Sequence, residues 1–132
     1  MNVRAILLAQ ISAYKAAPFE WGANDCAHFV ADCAVALGKA DPLEGLRGHY
    51  QTEVGAKRLM AANGWQSLAD FAAARYREIP VSMARSGDWG FVVNDDETET
   101  LGVVVASQIA AQTLNGVGSV SLTKARRAFR VE

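Results

Sequence analysis

The spacing of apolar residues changes character part-way along the chain. A short apolar run, Ala5–Ala9, is interrupted by Gln10 and Ser12 and continues helically through Tyr14. This predicts an amphipathic helix over residues 2–16, ending before Pro18. Pro18–Gly22 reads as a turn or short extended entry. Asn24 and Asp25 can both cap free backbone N–H groups, so they mark a helix start. That helix runs from Cys26 to Leu37 and stops at Gly38. Residues 39–51 hold Asp41-Pro42 and Gly48 and read as a loop. Residues 52–62 read as a helix ending at Asn63-Gly64. Another helix spans Ser67–Tyr76, with Ser67 as its cap, and Pro80 closes the helical half.

Past Pro80 the pattern turns to short extended runs. Gly87-Asp88 feeds a strand through Val93, and Asn94–Glu97 is a polar hairpin loop. Leu101–Val105, Ile109–Thr113, Val120–Thr123 and Ala128–Val131 read as further strands. Helices first and a small antiparallel sheet second predict an α+β fold. With no linker, repeat or low-complexity segment, residues 1–132 read as a single domain.

Composition narrows the function classes. The chain is 51% apolar, enough to build a core without disulfide or metal staples. The net charge is −1, without the basic excess that neutralises phosphates, so no nucleic-acid partner is expected. No apolar run reaches the roughly 18 residues a membrane span needs, and the N-terminal pattern reads as a helix rather than a signal peptide. Synthesis in a cytoplasm and no membrane partner are therefore expected. Cys26 and Cys33, on one helix, lie about 10 Å apart at ~1.5 Å rise per residue, too far to bridge. Without a CxxC pair they do not suggest zinc, and no cofactor is expected.

The sharpest local feature is Cys26 in a first helical turn. There the backbone dipole favours a thiolate, the nucleophile of thiol hydrolases, and free N–H groups can receive an oxyanion. Helical geometry puts Cys26, Val30, Cys33 and Leu37 on one apolar stripe facing the core. Two readings of Cys26 stay open on residues alone, a nucleophile or a small core hydrophobe. His28 lies about 200° round the helix from Cys26, beside Asp25 and Asp32, and reads as a surface histidine paired with those carboxylates. A metal half-site from Asp25, His28 and Asp32 is the minor alternative. Trp21, Trp65 and Trp89 are candidates to line a groove, with ordinary packing as the default.

Asp25-Cys26-Ala27-His28-Phe29-Val30 resembles the D-C-S-G-F-V signature of NlpC-type papain-like peptidases. Trp21-Gly22 is similar to that family's approach to its cysteine, and Gly87-Asp88 to its G-D strand. The whole chain resembles a divergent NlpC-like group found in bacteriophage and prophage tail proteins. Its features here are Phe19-x-Trp21-Gly22-x-x-Asp25-Cys26, Gly38-x-x-Asp41-Pro42, Arg47-Gly48-x-Tyr50, Gly55-Ala56 and Leu101-Gly102-Val103-Val104.

The resemblance implies helices packed on a small sheet, with Cys26 in the nucleophile position. It also implies a base histidine at the start of the second strand. Here that position falls on Thr100 or Leu101, neither of which accepts a proton near neutral pH, and no histidine follows His49. His49 is the remaining candidate base. The resemblance therefore implies a non-catalytic tail-tip component, assembled with other tail proteins into a virion or phage-like tail. The alternative is a thiol hydrolase on peptidoglycan peptides with Cys26 as nucleophile and His49 as base. A third reading is a cleft that binds such peptides uncut, with Trp21, Asp25 and Trp89 at its walls.

Overall fold

The computed structural model describes residues 2–132. Four helices precede the sheet: α1 (Val3–Lys15), α2 (Cys26–Ala36), α3 (Glu53–Ala62) and α4 (Leu68–Arg75). Six strands follow: β1 (Arg77–Ile79), β2 (Trp89–Val93), β3 (Glu99–Val105), β4 (Gln108–Thr113), β5 (Gly116–Ser121) and β6 (Arg127–Arg130). They form one antiparallel sheet in the order β1-β6-β2-β3-β4-β5. The architecture is α+β.

The helices start where side chains supply the missing acceptors. Asn2, Asp25, Thr52 and Ser67 each accept a backbone N–H three residues on. α1, α2 and α4 cover one face of the sheet, and Leu7, Phe29, Val30, Trp89, Leu101, Val103 and Phe129 fill the space between. The Tyr14 ring meets Phe29 edge-on at 5.0 Å, and its hydroxyl donates to Asp32 at 2.5 Å, joining α1 to α2. α3 differs from the rest, because none of its residues is buried.

The other sheet face carries a smaller cluster of Val92, Val104 and Ile109, flanked by Ala84, Leu122 and Ala125. Gly90 on β2 and Gly102 on β3 are paired partners beneath Ile109. A Cβ on Gly90 would come within 2.7 Å of Ile109 Cδ1, and one on Gly102 within 2.6 Å of Ile109 Cγ2. The glycine pair thus makes the space into which Ile109 packs.

Three expectations need correction. β1 lies within the anticipated helical half, ahead of Pro80, and pairs with β6, extending the sheet by one edge strand. The fifth strand is Gly116–Ser121 rather than Val120–Thr123, and residues Leu122–Lys124 turn as a short 3₁₀ helix. α2 is buried on more than the expected stripe, since His28, Phe29, Ala31 and Ala34 are buried with Val30 and Cys33.

Candidate functional site

An open groove runs between the N-terminal end of α2, the helix α3 and the tips of the β2–β3 and β4–β5 hairpins. Cys26 and Asp25 lie on its wall, together with Trp21, Tyr50, Trp65 and Gln112.

Asp25 organises the α2 end of this groove. Its carboxylate is 1% exposed and accepts four hydrogen bonds. Oδ1 takes the His28 N–H at 2.9 Å and faces His28 Nδ1 at 2.8 Å; Oδ2 takes the Gly22 N–H at 2.9 Å and the Tyr50 hydroxyl at 2.5 Å. Burial works to raise the carboxyl pKa, but the bonds from His28, Tyr50 and the two backbone N–H groups outweigh it, and the net direction is down. The same buried site, with Asp25 beside it, pushes the Tyr50 phenol up. Gly22 stands at φ +81°, and a Cβ there would sit 2.1 Å from the Tyr50 carbonyl oxygen. The entry turn and the Tyr50 loop therefore touch backbone to backbone, and only glycine permits it.

His28 is not the surface histidine its helical position suggested. It is 4% exposed, and its Nδ1 faces Asp25 and, at 3.3 Å, the Tyr50 hydroxyl. The loop that carries Tyr50 folds over this side of α2 and takes it out of water. Asp32 is engaged elsewhere, by Tyr14 and by Arg47 Nη2 at 2.8 Å. The metal half-site imagined from Asp25, His28 and Asp32 is thus divided between two separate hydrogen-bond groups. Arg47 also bonds Asp41 at 2.7 Å, pinning the loop to α2.

Cys26 opens α2 and is half-buried, and both cysteines are free thiols. Its thiol is pushed up to about 12, by burial first and then by the charge of Asp25. Backbone N–H groups of Leu101, Ala27 and Cys26 itself act in the opposite direction without prevailing. Cys33, in the core, is likewise pushed up to about 12 by burial and by Asp32. A helix N-terminus ordinarily lowers a thiol pKa, and here burial, reinforced by the carboxylate one residue earlier, overrides it.

No histidine faces this thiol from the groove wall. Leu101 is fully buried in the core, and Thr100 accepts from Asn94 Nδ2 at 2.9 Å. His49 is exposed in its loop and does not line the groove.

Residues 1–131 match the family described as a domain of unknown function, DUF6950. The chain belongs to that family. No curated protein matches the chain.

The tryptophans of this DUF6950 domain divide between groove and core. Trp89, expected at a cleft wall, is instead fully buried, stacked on Phe71 at 5.7 Å and met edge-on by Tyr76 at 4.9 Å. Rings from α4 and from Tyr76, just past its end, enclose it, so the correction is from groove to core. Trp21 and Trp65 do line the groove, with Trp21 edge-on to Phe19 at 5.0 Å.

Gln112 was not anticipated. It is 1% exposed, and among the described residues neither Oε1 nor Nε2 has a hydrogen-bond partner. The sequence carried a signal for it, since Ala110 and Gln112 share one face of β4 and Ala110 belongs to the core. A glutamine on that face is buried by parity.

Proposed function

We propose that this domain is a binding part with a papain-like, NlpC-type build that has no catalytic activity, and that it works in the tip region of a phage or phage-like tail. The observation that carries the non-catalytic reading is the state of Cys26. Its thiol is pushed up to about 12, and neither histidine of the chain faces it. A thiol raised by burial and by a neighbouring carboxylate is protonated at pH 7, where a free cysteine is already a few per cent thiolate. His28 Nδ1 is already directed at Asp25, and His49 stands outside the groove.

The papain-like assignment is supported by the cysteine that opens α2, by the packing of α2 against β3 and β4, and by the order of helices then sheet. The tail assignment rests on the resemblance of the motifs running from Phe19 to Val104. Several of those motif residues hold the scaffold together: Gly22 and Tyr50 bond Asp25, and Arg47 joins Asp32 to Asp41. A binding part needs that framework as much as an enzyme does. Its partners on this reading are other tail proteins, with peptidoglycan peptides as an additional ligand.

The test has two arms. Purified chain incubated with peptidoglycan sacculi releases no more amino groups than Cys26→Ala does. Release that Cys26→Ala abolishes, with the fold intact, establishes the thiol-hydrolase alternative instead. In gradient-purified tails from the source phage or prophage, the chain is present at fixed stoichiometry. Its absence from such particles overturns the tail role.

A further inference from the structure

We propose that the groove binds a neutral amide group between the Gln112 side chain and the first turn of α2. The proposal rests on the reading of Cys26 as a non-nucleophile, and it assigns Gln112 as the residue that determines what the groove accepts.

Gln112 carries the argument. A buried side-chain amide with neither atom satisfied is costly, and such a group calls for an explanation. It is buried behind the groove wall that it helps to line. Its position relative to Cys26 follows from the sheet. Val103 on β3 is paired with Ala110 on β4, so Leu101 and Gln112, each two residues further along, continue the same rows on the same face. Gln112 is therefore one strand away from Leu101, on the sheet face where α2 packs on both β3 and β4.

The second set of groups is the helix end itself. Asp25 caps the His28 N–H, and Phe29 N–H bonds the Asp25 carbonyl at 3.0 Å. The Cys26 and Ala27 N–H groups lie ahead of these in the first turn, where no intrahelical carbonyl reaches them. Cys26 and Ala27 both line the groove together with Gln112.

The chemistry of the occupant follows from these groups. Helix N-termini usually favour anions. Here Asp25, buried and held ionised, stands at the same helix end and opposes one. A carboxylate or phosphate would also leave Gln112 Oε1 without a donor. An ammonium would leave Nε2 and the helix N–H groups without an acceptor. A neutral amide supplies both on adjacent atoms: its carbonyl for the N–H donors and its N–H for Oε1. A primary carboxamide and a main-chain peptide group share this chemistry.

The test uses the full chain labelled with ¹⁵N. The Gln112 side-chain NH₂ signals are assigned by their loss in Gln112→Leu and Gln112→Met, two variants of similar size whose own spectra report that they are folded. The chain is titrated with acetamide, with N-methylacetamide and with acetate. The proposal expects saturable shifts of the Gln112 NH₂ and of the Cys26 and Ala27 backbone signals with at least one amide. Acetate binds at least tenfold more weakly, and both variants lose at least tenfold in amide affinity. Preference for acetamide identifies a carboxamide occupant, and preference for N-methylacetamide a main-chain one. Shifts that do not saturate, that acetate matches, or that survive in both variants overturn the proposal. Failure here with an unreactive Cys26 leaves the non-catalytic reading standing. Amide binding beside a reactive Cys26 supports this site and overturns that reading.

Discussion

The Tyr50 hydroxyl donates a 2.5 Å hydrogen bond to the Asp25 carboxylate, across 25 positions of sequence. That contact ties the loop ahead of α3 to the cap of α2 and closes the wall of the groove. A hydrogen bond to a buried charged group contributes more than a neutral one. Tyr50→Phe is expected to lower unfolding stability by about 1.5–3 kcal/mol, measured by urea denaturation at neutral pH.

The same carboxylate sets an acid dependence. Its folded pKa is depressed, so the stability it contributes is complete above the unfolded value, about 3.9, and is lost as pH falls through the lower folded value. Urea midpoints measured from pH 5 downward should fall less steeply in Asp25→Asn than in the wild type. A parallel fall in both would show that Asp25 titrates normally.

Backbone proximity makes a sharper prediction at Gly22. Gly22 and Gly45 share the same φ of +81°, but a Cβ at Gly22 meets the Tyr50 carbonyl oxygen at 2.1 Å, and one at Gly45 meets nothing within 4 Å. Gly45→Ala should cost only the left-handed conformation, about 1 kcal/mol. Gly22→Ala should cost about 3 kcal/mol or more, because the loop must also move away. Equal costs at the two sites would refute the close approach.

Under Ile109 the two paired glycines should respond differently. A Cβ at Gly90 presses mainly on Ile109 Cδ1, the far end of a side chain, whereas one at Gly102 also meets the Ala110 carbonyl oxygen at 2.5 Å. Ile109→Val removes Cδ1. It should recover about 1 kcal/mol of the Gly90→Ala loss and much less of the Gly102→Ala loss, in double-mutant cycles of unfolding.

Gln112→Leu removes two unsatisfied polar atoms from a buried site. It is expected to raise stability by about 1–3 kcal/mol, read from its urea midpoint. A variant that gains stability while losing the amide response would separate the two roles of the position.

Much of the fold was legible because local chemistry and tertiary structure agree. The caps at Asp25 and Ser67 and the turn at Asn63-Gly64 mark helix ends that are correct to within a residue or two. β1 was hidden because three residues, Arg77–Ile79, are too few to show a period, and its extension comes from pairing with β6. β5 was displaced because Gly116–Ser121 has little apolar alternation of its own and takes its register from β4. At the site, helical geometry separated His28 from Cys26 but could not show that Tyr50, 22 positions later, would bury the imidazole. Trp89 reads as a groove aromatic only until Phe71 and Tyr76 of a separate segment enclose it. Gln112 needed the strand parity together with the identity of the core-facing side, which β4 alone does not reveal.

Alkylation of Cys26 by iodoacetamide across pH separates a protonated, non-nucleophilic thiol from an activated thiolate. The measurement is made on the folded chain carrying Cys33→Ala, so that one thiol is read. Negligible reaction is expected at neutral pH, with a rate that rises only above pH 9, towards the value of about 12 set by burial and Asp25. A fast reaction with a midpoint well below the ~8.5 of a free thiol would mean an activated thiolate and would contradict the account.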